Sequence, residues 1–239
     1  MSEHMALENL TVLDLTRVLA GPFCTMMLAD MGANVIKIEV PKGGDDTRSY
    51  PPFRAKNLNG ERESVYFANI NRNKKGITLN LKAPEGKEIF KELVKKADIV
   101  VENYRPGVMD KLGLGYDVLK EINPRIIYAA VSGFGCYGPY HLRPGYDILA
   151  QAMGGMMSIT GSKGGEPTRA GSALGDILGG LHVTIGILAA VNARTITGKG
   201  QRVDVSLMDS MIAATENTAL KYIETGNIPA PMGNRYACL

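Results

Sequence analysis

The feature that most restricts the fold is an alternation of short apolar runs with helix-like segments, which starts near the N-terminus and persists through Ser132. Leu10–Leu15 (LTVLDL) suits a buried strand, Arg17–Met31, entered through Gly21-Pro22, reads as a helix, and Ala33–Val40 (ANVIKIEV) reads as a second strand closed by Pro41 and Gly43-Gly44. Strand, helix and strand within about thirty residues form a βαβ unit, whose crossover makes the two strands parallel. Asp45–Asn73 is polar and irregular, with Pro51-Pro52 and Asn59-Gly60, and reads as an excursion over the surface. The alternation then resumes: strand Gly76–Leu81, helix Pro84–Lys96, strand Asp98–Glu102, short helices Gly107–Leu112 and Tyr116–Ile122, and strand Arg125–Ser132. The expected fold class is α/β, an open and mostly parallel Rossmann-like sheet flanked by helices.

The second half is richer in glycine. A helix is expected over Tyr146–Met157 and a loop over Gly161–Pro167. Gly171–Ala193 then combines a small-residue turn, a single carboxylate at Asp176, and a long apolar run. In it Ile177, Leu178, Leu181, Ile185, Leu188 and Ala189 fall three and four apart, the period of a helix. Asp176 is expected at or near the helix N-cap, ionised by backbone N–H groups and the positive end of the macrodipole. Glycine inside a helix costs roughly 1 kcal/mol relative to alanine. Gly175, Gly179 and Gly180 therefore imply that another backbone or a ligand comes close. An ionised carboxylate with cleared space around it is what covalent acyl catalysis needs. The plainer alternative is a capping aspartate and nothing more. A strand at Gln201–Ser206 and a helix from Leu207 to about Glu224 complete the expected domain, residues 1–225, and residues 226–239 follow as the start of a linker towards a smaller domain.

Composition narrows the function classes. A net charge of +3 gives no argument for nucleic acid, and 45% apolar residues suit a globular protein. No unbroken run of about 18 apolar residues occurs, so no membrane span is expected. The N-terminus lacks a basic region followed by an apolar stretch, which leaves the cytoplasm as the expected compartment. Cys24, Cys136 and Cys238 have no CxxC spacing, and His4, His141 and His182 do not pair at ligand spacing, so neither a disulfide framework nor a metal site is expected. His182 reads as a packed core residue. Glu39 stands where a ribose-binding acid would follow the second strand. The first turn, Thr16–Pro22, lacks GxGxxG, which argues against a dinucleotide and leaves Glu39 as a solvated strand end. Basic residues gather in loops near strands: Lys42, Arg48, Arg72, Lys74, Lys75, Lys82, Arg105, Lys111 and Arg143. They would suit a phosphorylated ligand at the carboxyl ends of a parallel sheet.

Val12–Glu39 (VLDLTRVLAGPFCTMMLADMGANVIKIE), Asn71–Lys82 (NRNKKGITLNLK), Lys95–Gly107 (KKADIVVENYRPG), Leu174–Asp176 (LGD) and Thr197–Asp209 (TGKGQRVDVSLMD) together resemble the family III CoA transferases. That group includes formyl-CoA transferase, the carnitine CoA transferase and α-methylacyl-CoA racemase. The resemblance runs from Leu7 to the end of the chain. It implies that this is the large domain of such an enzyme, which in the family is followed by a smaller domain and forms an interlocked homodimer.

The resemblance further implies that Asp176 is the nucleophile of a CoA transferase, attacking an acyl-CoA thioester. No cofactor is bound permanently, coenzyme A being a substrate, and the partners are CoA, acyl-CoA thioesters and a carboxylic acid acceptor. The family pattern places CoA contacts on Leu19, Ala20, Leu79, Asn80, Leu81, Lys82, Asn103, Tyr104, Arg105, Lys111, Tyr146 and Asp147. Val40 replaces the basic residue that follows the second strand in formyl-CoA transferase, and Lys42 is the neighbour able to take over its phosphate contact. Leu19 replaces a glutamine, which argues against a formyl or oxalyl substrate. Gly145-Tyr146-Asp147 stands where the racemase has Gly-His-Asp, and tyrosine is a poor base near neutral pH. Transfer is therefore preferred to racemisation, with an acyl-CoA racemase or a non-catalytic CoA-binding module as the alternatives.

Overall fold

The computed structural model describes residues 4–54, 60 and 62–235. Met1–Glu3, Asn59 of the expected Asn59-Gly60 turn, and Cys238 lie outside the described residues. In chain order the elements are β1 (Thr11–Asp14), α1 (Ala20–Asp30), β2 (Asn34–Glu39), the short strands β3 (Phe53–Arg54) and β4 (Glu63–Ser64), α2 (Val65–Ile70), β5 (Lys75–Thr78), α3 (Pro84–Val94) and β6 (Ile99–Glu102). There follow α4 (Val108–Lys111), α5 (Tyr116–Ile122), β7 (Ile127–Ser132), α6 (Asp147–Met153), α7 (Met156–Ile159), α8 (Leu174–Thr197), β8 (Arg202–Ser206), α9 (Leu207–Ala214) and α10 (Asn217–Thr225).

The main sheet has the order β5-β2-β1-β6-β7-β8, and every pairing in it is parallel. The chain starts in the middle at β1, winds outward through β2 and β5, then returns beside β1 as β6 and winds the other way. Its switch point lies between β1 and β6, the place where open α/β sheets open a crevice at the strands' carboxyl ends. Alternate strand residues face two cores. Val12, Ile99, Val101, Ile127, Ala129 and Val131 pack with α1 and α8, whereas Leu13, Val100, Tyr128 and Ala130 pack with residues of α3, α4 and α5 such as Phe90, Met109 and Leu119.

Helix α8 is the central support of the first layer, packed against α1, α9, β7 and β8. By length and composition it could cross a membrane. Here Val183, Ile187 and Ala190 on one of its faces are buried in the α1–α8 core. The glycines explain the close packing. A Cβ at Gly180 would stand 2.7 Å from the Ala20 carbonyl oxygen, and one at Gly179 would collide with Leu207. The close approach foreseen at these glycines comes from protein on both sides. Gly180→Ala should accordingly push α1 away from α8 and cost about 1–3 kcal/mol, read as a lower urea midpoint with unchanged slope.

Boundaries shifted where tertiary packing intervened. The expected Arg17–Met31 helix begins only at Ala20, because Thr16–Val18 are held in a turn with Val18 at φ 68°. The helix expected over Tyr146–Met157 breaks at Gly154-Gly155, where α6 meets Met211 of α9 and Gly155 turns to φ 85°. The helix expected from Leu207 to Glu224 breaks at Glu216, φ 51°, a reversal that side-chain periodicity does not announce. α8 runs on to Thr197, and its Arg194 pairs with Asp98 at 3.0 Å. The expected surface excursion, Asp45–Asn73, contains β3, β4 and α2, the last capped by the Ser64 hydroxyl accepting the Phe67 N–H.

Candidate active site

The first βα turn and α8 bring the site together. A cleft of about 310 Å3 lies at the carboxyl ends of β1, β6 and β7. The turn Arg17–Ala20, the loop Asn103–Pro106, Ser132-Gly133, Arg143–Tyr146 and Leu207 form its walls, with Asp46 and Tyr50 closing one side; Asp176 also lines it. A second cleft of about 480 Å3 lies over the ends of β2 and β5 and beside α4, lined by Ile38–Lys42, Leu79–Lys82, Val108 and Leu112. Tyr104 lines both, which makes the two clefts neighbours across a single side chain.

Asp176 departs from its expected setting. The N-cap of α8 is Ala173, with no side-chain cap, and Asp176 falls three residues inside the helix. Burial, aided by the nearby Asp147 charge, pushes its carboxyl up from 3.8 to about 7. The expectation of a firmly ionised capping aspartate is therefore corrected: Asp176 titrates near neutral pH, because the loss of water outweighs the helix dipole.

The capping role belongs to Asp147. Its Oδ1 accepts the Gly175 N–H at 2.8 Å, and its Oδ2 accepts from Gln151 Nε2 at 2.8 Å and faces Arg169 at 3.5 Å. Gln151 in turn accepts the Ala170 N–H at 2.8 Å. The α6 segment thus fixes the start of α8 through a buried carboxylate turned towards the helix.

The family-derived contact residues divide by location. Leu19, Ala20, Asn103, Tyr104, Arg105 and Tyr146 line the cleft with Asp176. Lys42, Leu79, Asn80, Leu81, Lys82 and again Tyr104 line the second cleft. Lys111 is exposed on α4 and lines neither cleft, and Asp147 is engaged with α8. Asn103 also fastens the first turn, since its side chain accepts the Arg17 N–H at 2.9 Å and donates to the Arg17 carbonyl at 2.7 Å.

Several of the basic residues are occupied elsewhere. Arg48 binds both oxygens of Glu39 at 2.8 and 2.6 Å, Arg72 pairs with Asp30, Lys74 is buried against Asp14 at 3.1 Å, and Lys75 donates to Asn34. Glu39 is corrected as well: it is buried, accepting the Asp45 N–H at 2.8 Å besides Arg48, so it is no solvated strand end.

Arg17, Asp46 and Tyr50 were not foreseen, and Tyr66 joins them. Burial, followed by the Asp176 charge, lifts the Tyr66 phenol to about 12, which leaves it a neutral group near the nucleophile candidate. Tyr66 meets Tyr50 edge to face at 5.8 Å. Asp46, Tyr50 and Tyr66 all come from the polar excursion, whose composition carried no sign that it folds back over the sheet.

A family model described as CoA-transferase family III matches residues 7–238. An acetyl-CoA:oxalate CoA-transferase of Acetobacter aceti is 48% identical over 230 residues, covering 96% of this chain and 58% of that protein. A succinyl-CoA:mesaconate CoA-transferase of Haloarcula marismortui is 47% identical over 240 residues, 98% of this chain and 60% of that protein. The crystal structure of a CAIB/BAIF family protein from Brucella suis superposes with a TM-score of 0.93 at 44% identity, over 98% of this chain and 61% of that one. The chain thus spans about three fifths of the length of these relatives, and it belongs to CoA-transferase family III.

Proposed function

We propose that this chain supplies the CoA-binding and nucleophilic part of an enzyme that moves CoA between carboxylic acids through a covalent intermediate on Asp176. The observation that carries the reading is the placement of Asp176: a partly buried carboxyl titrating near 7, at the start of α8 and open to the cleft. Its carboxylate attacks the thioester carbonyl of an acyl-CoA; the C–S bond breaks, CoA leaves as thiolate, and a mixed anhydride remains. The thiolate then attacks the aspartyl carbonyl and releases the first acid as its carboxylate. The acceptor carboxylate opens the resulting aspartyl-CoA thioester to a second anhydride, from which the thiolate takes the new acyl group and restores Asp176. Desolvation raises the energy of the attacking carboxylate, and backbone N–H groups at helix starts can stabilise the oxyanions.

The second cleft suits the nucleotide end of CoA, with Leu79 and Leu81 as apolar walls and Lys42 and Lys82 as cations for phosphate. Arg105 borders the path towards Asp176. Short dicarboxylic acids are the proposed acyl and acceptor groups. The Haloarcula marismortui relative is named for succinyl-CoA and mesaconate, and Arg143, together with Arg17 paired to Asp46 at 3.5 Å, brings positive charge to the Asp176 cleft, while Leu19 argues against oxalate. Racemisation is less well supported, since the position of the second acid/base is held by Tyr146, which is 69% exposed. The cytoplasm remains the proposed compartment. Residues 226–239 are proposed to lead to a smaller domain, and the apolar Leu220, Ile223 and Ile228, each more than half exposed, suit cover by that domain or by the second subunit of an interlocked homodimer.

The test is intact-protein mass spectrometry after incubation with a panel of acyl-CoAs and hydroxylamine. Trapping of an activated aspartyl carbonyl adds about 15 Da and maps to Asp176. CoA binding without an adduct for any donor would reduce the chain to a binding module.

A further inference from the structure

The turn between β1 and α1 is held by the adjacent Asp14 and from three distant places in the chain, Lys37, Asp45 and Asn103. Thr16 donates its N–H to Asp14 at 2.9 Å, and its carbonyl accepts from Lys37 Nζ at 2.8 Å. Arg17 is bracketed on both sides by the Asn103 amide. Val18 donates its N–H to Asp45 Oδ1 at 3.2 Å. Lys37 and Asp45 are themselves an ion pair of 2.9 Å, with side chains only 2% and 1% exposed. Asp45 also accepts from the Thr47 N–H at 3.0 Å and hydroxyl at 2.8 Å. Burial opposes its charge, but Lys37 and the Thr47 donors keep its carboxyl below the usual range.

Between these anchors Val18 sits at φ 68°. For a β-branched side chain that region is strained, and such strain persists only where the surroundings over-determine it. The residues on either side of it, Arg17, Leu19 and Ala20, line the cleft with Asp176. Lys37 and Asp45 line neither end of that wall, and they hold the turn on both sides of Arg17.

We propose that the buried Lys37–Asp45 pair is a positioning device: it keeps Val18 in the left-handed conformation and so sets where Arg17, Leu19 and Ala20 stand relative to Asp176. The proposal rests on the reading of Asp176 as nucleophile only for its catalytic consequence. A pair serving stability alone would not depend on the residue at position 18.

The test uses the paired variant Lys37→Met with Asp45→Ala, which removes the clamp without stranding a charge. Two readouts are taken: the rate of Asp176 hydroxamate formation, and amide hydrogen exchange of Thr16–Ala20. The expected result is a rate about 10–100-fold lower, with faster exchange confined to the turn. Adding Val18→Gly, a residue that adopts positive φ without strain, should restore most of the rate. Should the paired variant fail to fold, Val18→Pro, which forces φ to about −65°, must give the same loss of rate. Unchanged rate and exchange in the paired variant, or a triple variant no faster than it, overturns the proposal. A wild-type chain that forms no hydroxamate refutes the Asp176 reading instead, and exchange in the turn then decides the clamp alone.

Discussion

An Asp176→Asn chain is expected to form no hydroxamate with any acyl-CoA and yet to be more stable than the parent at pH 8. Both effects come from one displacement, a carboxyl moved from 3.8 to about 7 by burial and by Asp147. A carboxyl raised in the folded state binds protons more readily there than in the unfolded chain. Its contribution is therefore intact below about pH 4, declines as pH rises, and is lost above about pH 7. At 1.36 kcal/mol per unit, and discounted for the partial exposure of the group, ionising Asp176 costs about 2–3 kcal/mol at pH 8. Asparagine escapes that cost, so the urea midpoint should rise at pH 8 and stay level at pH 4. Adduct formation by the parent should climb about tenfold per pH unit below 7 and level off above it, because only the carboxylate attacks. Equal stabilities of variant and parent at both pH values would show an ordinary surface carboxyl and remove the desolvated nucleophile.

The second large effect lies beneath the same turn. Lys74→Met should destabilise the chain by about 3–5 kcal/mol, because it leaves Asp14 buried without its cation. Asp14 is fully buried; it holds the Thr16 N–H at 2.9 Å and the Thr25 hydroxyl at 2.7 Å, and Lys74 Nζ reaches it at 3.1 Å while also donating to the Pro22 carbonyl and Asn71. Burial works against the Asp14 charge, but Lys74, Lys37 and the hydroxyls of Thr16 and Thr25, both of which donate to it, overcome it and hold the carboxyl below its usual range. A lowered carboxyl contributes stability that is present above about pH 4 and lost as pH falls through its folded value. The Lys74→Met loss should therefore shrink in acid. Converting Asp14 to Leu in the same chain should recover much of it, since two apolar groups strand no charge. A single variant as stable as the parent would mean that water reaches Asp14.

How far the chain could be read in advance depended on how local each signal was. The segments Leu10–Leu15, Ala33–Val40, Asp98–Glu102 and Arg125–Ser132 contain β1, β2, β6 and β7, whose residues feed the cores on both faces of the sheet, and continuous apolar runs with short helical segments between them leave little alternative to a parallel sheet. The Asp176 segment was legible for the same reason, since the spacing of its apolar residues and its glycines are properties of one helix. Fold class, the helix of Asp176 and the close packing at Gly179 and Gly180 thus follow from sequence.

What the sequence left open is held by contacts between residues far apart in the chain. Asp176 looked like a cap because proximity to a helix start is local. That Asp147, twenty-eight positions upstream of Gly175, takes the free N–H, and that burial then carries Asp176 towards neutral pH, is decided by how α6 packs on α8. Lys74 resembled a phosphate ligand and Glu39 a solvated strand end until folding buried them against Asp14 and Arg48. Lys37 and Asp45 gave no sign of their pairing. Hydrophobic periodicity is written along the chain, so the sequence by itself determined the parallel sheet and the α8 helix that carries Asp176, and the resemblance to a family marked that carboxylate as the nucleophile candidate. The charge of a carboxyl and the shape of a strained turn depend on which groups desolvate and clamp them, and only the tertiary structure decides that.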